Sequence, residues 1–119
     1  MNTKEFLSRY AAGQRDFRNL NLMAANLRNI NLRGVNLSGA NLTKANLTRT
    51  NLSYANLSDA ILTGAVLTQT NLTKANLLNA DLSNTSLADA ETSHARVRNA
   101  IADDVTVPSI LHAPLPDSV

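Results

Sequence analysis

Ala40-Asn41-Leu42-Thr43-Lys44-Ala45-Asn46-Leu47-Thr48-Arg49 states one five-residue phrase twice, and that phrase governs the chain. From Leu22 through Leu87 leucine returns at every fifth position without exception, with Phe17 before it and Thr92 and Val97 after it in the same register. Fixed self-similarity marks a repeat architecture, in which each unit buries its apolar side against its neighbours. A spacing of five suits neither common element. On an α-helix at about 100° per residue, successive leucines advance about 500° and spiral around the rod, leaving no stripe to bury. On a flat strand an odd spacing throws them to opposite faces. The Asn that precedes Leu in most units favours turns over helices and strands. A chain that turns a corner in each unit and keeps its leucines on one inner side meets all three constraints. The expected fold is a solenoid of β-helical kind.

The run Ala45-Asn46-Leu47-Thr48-Arg49, repeated with variations over roughly residues 15–99 in about seventeen copies, resembles the pentapeptide repeat family and its A(D/N)LXX consensus. The opening Phe6-Leu7-Ser8-Arg9-Tyr10-Ala11-Ala12-Gly13-Gln14-Arg15-Asp16-Phe17 is similar to the start of many small cyanobacterial members. The resemblance implies an all-β, right-handed quadrilateral parallel β-helix of about four coils, with four units to a coil. The sequence itself shows only the five-residue period. Its longest internal echo, Asn41-Leu42-Thr43-Lys44-Ala45-Asn46-Leu47 against Asn71-Leu72-Thr73-Lys74-Ala75-Asn76-Leu77, is not a whole number of such coils apart.

On this reading the core is Phe17, Leu22, Leu27, Leu32, Leu37, Leu42, Leu47, Leu52, Leu57, Leu62, Leu67, Leu72, Leu77, Leu82 and Leu87. The residue two before each Leu also points inward, and it is usually Ala, with Thr50, Thr70 and Thr85 as near-isosteric alternatives. Leu20, Ile30 and Val35 are bulkier there and suggest a fatter first coil. Stacking at about 4.8 Å per coil puts Asn36, Asn56 and Asn76 in one expected amide ladder and Asn31, Asn51 and Asn71 in another.

Three segments follow: an N-terminal capping helix over 1–14, the β-helix over 15–99, and an irregular C-terminal cap or tail over 100–119. Asn2 and Glu5 form a variant capping box, Phe6, Leu7 and Tyr10 share a helical face, and Gly13 suits the left-handed stop. A stack of coils exposes a disc of leucines at each end, and the helix is the expected lid at one of them. Beyond Leu87 the repeat decays, and Pro108, Pro114 and Pro116 punctuate the tail. Val105, Val107, Ile110, Leu111 and Leu115 are apolar enough either to cover the last coil or to join two copies as a homodimer through the C-terminal end.

Composition narrows the function. Aromatics make up 3% of the chain while 44% is apolar, as a narrow interior filled by Leu and Ala requires. No stretch approaches the roughly 20 apolar residues of a membrane span, and no signal-peptide core opens the chain, so a cytoplasmic location is the default expectation. With no cysteine, thiol chemistry is excluded, and His94 and His112 have no companions at metal-ligand spacing. No phosphate loop, activated nucleophile or paired carboxylates accompany the repeats. The expectation is a non-enzyme without catalytic residues, cofactor or metal.

Charge is uneven along the chain. Residues 1–50 carry eight Lys and Arg against Glu5 and Asp16, whereas residues 51–119 carry Lys74, Arg96 and Arg98 against seven acids. Arg28, Arg33, Lys44 and Arg49 make a candidate basic contact surface. Ile61 and Val66 replace Asn in two successive units at an outward position and make a candidate apolar one. Met23 and Leu78 are isolated oddities of the same kind. These features point to a protein-interaction or scaffold module with an unknown partner. The alternative is association with nucleic acid through the basic half, although no aromatics interleave with the charges for base stacking. The family's DNA-mimicking gyrase inhibitors need a long acidic rod, which this chain lacks. Ice binding would need unbroken Thr rows, and Thr43 with Thr63 and Thr48 with Thr68 run only two deep.

Overall fold

The computed structural model describes residues 1–102. A helix, α1 (Thr3–Ala11), begins where the extended Asn2 accepts the Glu5 N–H on Oδ1 at 2.8 Å. That bond satisfies one of the donors a helix start leaves without a partner. The helix stops at Ala12, and Gly13 follows at φ 107°, where an L side chain would be strained. Phe6 is fully buried and meets Phe17 edge-on, with ring centroids 4.7 Å apart. Tyr10 Oη donates to the Arg33 carbonyl at 2.7 Å, and the Arg15 guanidinium lies 3.8 Å over the Tyr10 ring. The helix is therefore tied to the first coil by an aromatic pair inside and a hydrogen bond at the rim.

From Asp16 onward the units pair in parallel with the units twenty residues ahead, as in Asp16 with Asn36, Asn36 with Asn56, Asn56 with Asn76 and Asn76 with Arg96. Four five-residue units thus close one coil. We number the faces by their central residues: face 1 holds Phe17, Leu37, Leu57 and Leu77, and face 2 holds Leu22, Leu42, Leu62 and Leu82. Face 3 holds Leu27, Leu47, Leu67 and Leu87, and face 4 holds Leu32, Leu52 and Leu72. Most contacts between coils are single parallel bridges, and β1 (Asp81–Leu82) with β2 (Ile101–Ala102) is the pair that lengthens into strands.

Each unit repeats one set of backbone bonds. Leu42 N–H reaches the Ile61 carbonyl at 2.7 Å, and Lys44 N–H reaches the Thr63 carbonyl at 2.9 Å, both in the next coil. Asn41 N–H reaches back to the Leu20 carbonyl, and Ala45 N–H closes the turn onto Leu42 O, each at 2.9 Å. The third residue of that turn takes positive φ: 59° at Lys44, 55° at Arg49 and 61° at Tyr54. A type II turn demands this, which is why the corners collect Asn and Gly.

The interior is solid. Leu27 through Leu62 at every fifth position are at most 1% exposed, with Ala40, Ala45, Ala55 and Ala60 filling the gaps between them. Thr50, Thr70 and Thr85 enter this interior with their hydroxyls satisfied, donating to the Leu27, Leu47 and Leu62 carbonyls.

The Asn columns take a form that the expected amide ladders did not anticipate. Their backbones stack, but each Oδ1 accepts along its own chain, from the N–H two residues on: Thr43 N–H to Asn41 at 3.0 Å, Ser58 N–H to Asn56 at 3.0 Å, Leu78 N–H to Asn76 at 3.0 Å. Where Ser or Thr follows Leu, its hydroxyl adds a second bond to the same oxygen, as Thr43 Oγ1 does at 2.6 Å. A side chain that folds a turn onto itself is the ordinary chemistry of Asn and Asp, and it competes successfully with cross-coil amide pairing.

The pattern breaks at residues 85–89. No bridge joins Val66 to Ser86, and Gln69 N–H reaches Asp89 O at 3.0 Å where the register calls for Ala88 O. Ser86 stands where most units have Asn, and its Oγ, one bond shorter in reach, takes the Ala88 N–H at 3.2 Å. The tail contacts expected of Val105, Val107, Ile110, Leu111 and Leu115, and His112 with them, lie outside the described residues.

Candidate functional surfaces

The register fixes where every outer side chain falls. Arg28 lies on face 3 in the first coil, Lys44 and Arg49 occupy the corners before and after face 3 in the second, and Val66 and Ile61 lie on faces 3 and 2 in the third. These five residues share one side of the rod. Ile61 and Val66 are 39% and 42% exposed. Lys44 lies beside Gly64 on its corner, with Cγ 3.4 Å from where a β-carbon would stand, an ordinary van der Waals distance. Arg49 is laid up its own corner, Nε on Asn29 Oδ1 at 3.0 Å and Nη1 on Gln69 Oε1 at 3.4 Å. Arg28 Nε shares Asn26 Oδ1 at 3.2 Å.

Arg33 leaves this group. It lies on face 4, donates to Ser53 Oγ at 3.3 Å, and places its guanidinium 4.2 Å from the centre of the Tyr54 ring. Tyr54 sits at the corner from face 4 to face 1, where Lys74 Nζ approaches the same ring at 5.4 Å from the following coil. The Lys74 ammonium first, and then the Arg33 guanidinium, hold the Tyr54 phenol below its usual value. Beside it Tyr54, Lys74, Asn76, His94 and Arg96 line an open groove of about 650 Å³. No carboxylate lines it, and among the described residues the ion pairs are elsewhere, Arg9 with Glu5 and Arg18 with Asp16.

This second surface was not foreseen. Tyr54, Lys74 and His94 are twenty residues apart and stack on one corner, a juxtaposition that only the coil length reveals. The signal was present in Tyr54 itself, a bulky residue at a position of φ 61° where Asn and Gly are the easy choices.

Three of the acids, Asp16, Asp81 and Glu91, are occupied by the turn chemistry. Asp81 stands in for Asn and accepts both the Ser83 N–H at 3.0 Å and its hydroxyl at 2.6 Å, and these bonds lower its pKa. Glu91 is lowered by Ser93 in the same way, and Asp16 by the Arg18 side chain. Carboxylates thus serve the repeat as Asn does. Among the described residues no three His, Asp or Glu gather closely enough to hold a metal ion, and no helix is long and apolar enough to cross a membrane.

Pentapeptide repeats match the chain in eight copies, over residues 21–59, 30–69, 50–89 and 65–101. The chain belongs to the pentapeptide repeat family. Its members are in general non-catalytic structural or interaction modules, and their right-handed quadrilateral β-helix accords with the four-sided coil described above. Among solved structures it is similar to HetL, a pentapeptide repeat protein involved in heterocyst differentiation regulation in the cyanobacterium Nostoc sp. PCC 7120, with 35% identity and a TM-score of 0.65. That likeness covers 84% of this chain and 44% of HetL, so the chain spans less than half of HetL's length. A second pentapeptide repeat protein from Nostoc is 31% identical, covering 89% of this chain and 84% of that one with a TM-score of 0.45. A thylakoid-lumen member from Arabidopsis thaliana is 27% identical over 78% of this chain and 67% of its own, with a TM-score of 0.38. No curated protein matches the chain in sequence.

Proposed function

We propose that this pentapeptide repeat chain is a non-catalytic protein-interaction module that docks a partner across faces 2 and 3 and the corners beside face 3. The contact residues are Arg28, Lys44, Arg49, Ile61 and Val66, with Arg33 assigned to the other surface. The observation that carries the reading is the pair Ile61 and Val66. Both are exposed, and both give up the Asn bond that holds the unit one coil below, Asn41 to Thr43 and Asn46 to Thr48. Two adjacent sites that forgo a turn bond and present apolar surface to water are stable only at a cost, and burial against a partner recovers it. The cations around them suit a partner with an acidic rim. A solid interior leaves recognition to the outside, and the likeness to HetL, itself involved in regulation, agrees with a binding role.

Immobilised protein exposed to nuclease-treated lysate of its source tests this. A protein retained by the native surface should be lost with Ile61→Asn/Val66→Asn and weakened by Arg28→Glu/Lys44→Glu/Arg49→Glu, and the purified pair should then bind directly. Equal retention by all three, or retention that requires nucleic acid, overturns the reading.

A further inference from the structure

We propose that the corner between faces 4 and 1 is a second binding site, a cationic groove that takes an extended acidic peptide segment by its carboxylates. The groove beside Tyr54 is lined by Lys74, Asn76, His94 and Arg96. Arg33 lies beside it, with its guanidinium over the Tyr54 ring that forms part of the lining. Two fixed cations line the groove and Arg33 stands beside it against Tyr54, and none of the three has an acidic partner among the described residues. Asn76 Oδ1 is taken by the Leu78 N–H, which turns the rest of that amide into a donor. The fixed cations and the Asn76 amide N–H groups outweigh the acceptors of Tyr54 and His94, and the complement of the groove is an acceptor-rich anion.

The spacing selects the kind of anion. The guanidinium of Arg33 is held at the level of Tyr54, Lys74 stands one coil further on, and Arg96, just past the His94 corner, lies about two coils from Tyr54. At about 4.8 Å per coil the charges spread over about 10 Å of the rod axis. A lone carboxylate or phosphate meets one of them. An extended chain covers that distance in about three residues at about 3.3 Å each and offers alternate side chains to one side. The groove is open along its length, as a segment requires, whereas small-molecule sites enclose their ligands.

Nucleic acid fits less well. Base stacking needs a bare aromatic face. Here the ring of Tyr54 carries Arg33 from the coil before and Lys74 from the coil after. The tyrosine acts as a post that aligns two cations, and their attraction to the ring stiffens side chains that would otherwise lose more entropy on binding.

The test uses a fluorescein-labelled peptide of alternating Gly and Glu, followed by anisotropy on the full chain at low salt. Lys74→Glu/Arg96→Glu should weaken it about tenfold or more, while Arg28→Glu/Lys44→Glu, which changes net charge equally on the opposite side, should change it less than about twofold. Tyr54→Asn should weaken it, and Tyr54→Phe, which keeps the post, should not. Amide shifts in NMR should centre on Lys74, His94 and Arg96. Equal loss with both charge reversals would reduce the effect to net charge and overturn the site. Stronger binding of oligothymidylate at the same residues would replace the peptide with nucleic acid, and binding by inorganic phosphate as tight as by the peptide would reject the extended-segment geometry. Because the control variant removes cations from face 3, failure here and failure of the face 3 reading are told apart.

Discussion

Returning Asn to the two units where Ile61 and Val66 replace it should make the protein more stable. In the coil beneath, Asn41 Oδ1 accepts Thr43 N–H at 3.0 Å and Thr43 Oγ1 at 2.6 Å, and Asn46 does the same for Thr48 at 3.1 and 2.6 Å. Ile61 and Val66 stack directly above these two Asn residues and are followed by Thr63 and Thr68, so the acceptor is missing while the donors remain. An intramolecular hydrogen bond contributes about 0.5–1.5 kcal/mol net. Loss of a β-branched residue from an exposed bridge offsets a few tenths, on a scale that spans about 1 kcal/mol. The balance is about 0.5–1 kcal/mol per site, and the two sites lie on different faces, so their effects should add. For a domain of this size that is about 4–15 °C in Tm for Ile61→Asn/Val66→Asn. Thr63 already bonds Asp81, so Val66→Asn should supply the larger share. Thermal and urea denaturation followed by circular dichroism measure this directly. A Val66→Asn protein with native spectra and a Tm equal to or below the parent would refute the assignment of Val66 as a site held against the fold's own preference.

Truncating the stack in its middle, Leu52→Ala, should cost about 2–5 kcal/mol in a denaturant melt, because Leu52 is fully buried with packed coils on either side. Thr50→Val should cost more than Thr70→Val: the Leu47 carbonyl under Thr70 keeps the Thr50 N–H, whereas for Leu27 O the Thr50 hydroxyl is the partner seen among the described residues. Equal losses in the same melts would refute that difference, which should be about 1 kcal/mol. Asp81 has a lowered folded pKa, so its contribution is present above the unfolded carboxylate value and is lost as pH falls through the folded one. Asp81→Asn keeps the acceptor without the charge, and its stability should therefore decline less than the parent's below about pH 4; identical acid limbs would count against this account.

What could be read from the sequence followed from what repeats. The five-residue return of leucine excludes a helix and a flat strand and leads to the solenoid and its family before any contact is known. Asn before Leu was legible as a turn former, yet the partner of its oxygen was not, since amide stacking and a bond along the chain predict the same residue. Glu91 and Asp81 decide between them, because a carboxylate can take the Ser93 or Ser83 donors but cannot continue an amide ladder. The candidate surfaces were legible only where a residue broke its own unit, as Ile61 and Val66 do. Grouping across units needs the coil length, so Arg33 was placed with Arg28 and Lys44 although it bonds Ser53 and covers Tyr54 on another face.

The same logic explains why recognition gathers at corners. The leucine and the small residue are fixed by the interior, and the residue before leucine is fixed by the turn bond. Of the outward positions the corner is the one that protrudes, and it asks for left-handed backbone, which costs an L residue about 1–2 kcal/mol. Asn19, Gly34, Gly39, Gly64 and Asn79 meet that demand cheaply, whereas Lys44, Arg49, Tyr54, Lys74 and His94 do not. Their expense needs a return, and for Tyr54 the contacts with Arg33 and Lys74 supply part of it. The two groups also lie apart: Lys44 and the pair Ile61 and Val66 flank the corner from face 2 to face 3, and Tyr54 with Lys74 holds the corner from face 4 to face 1. On a four-sided coil these are opposite corners. On the two proposals made above, occupying one corner leaves the other open, and binding at both would be additive because no deformable core connects them.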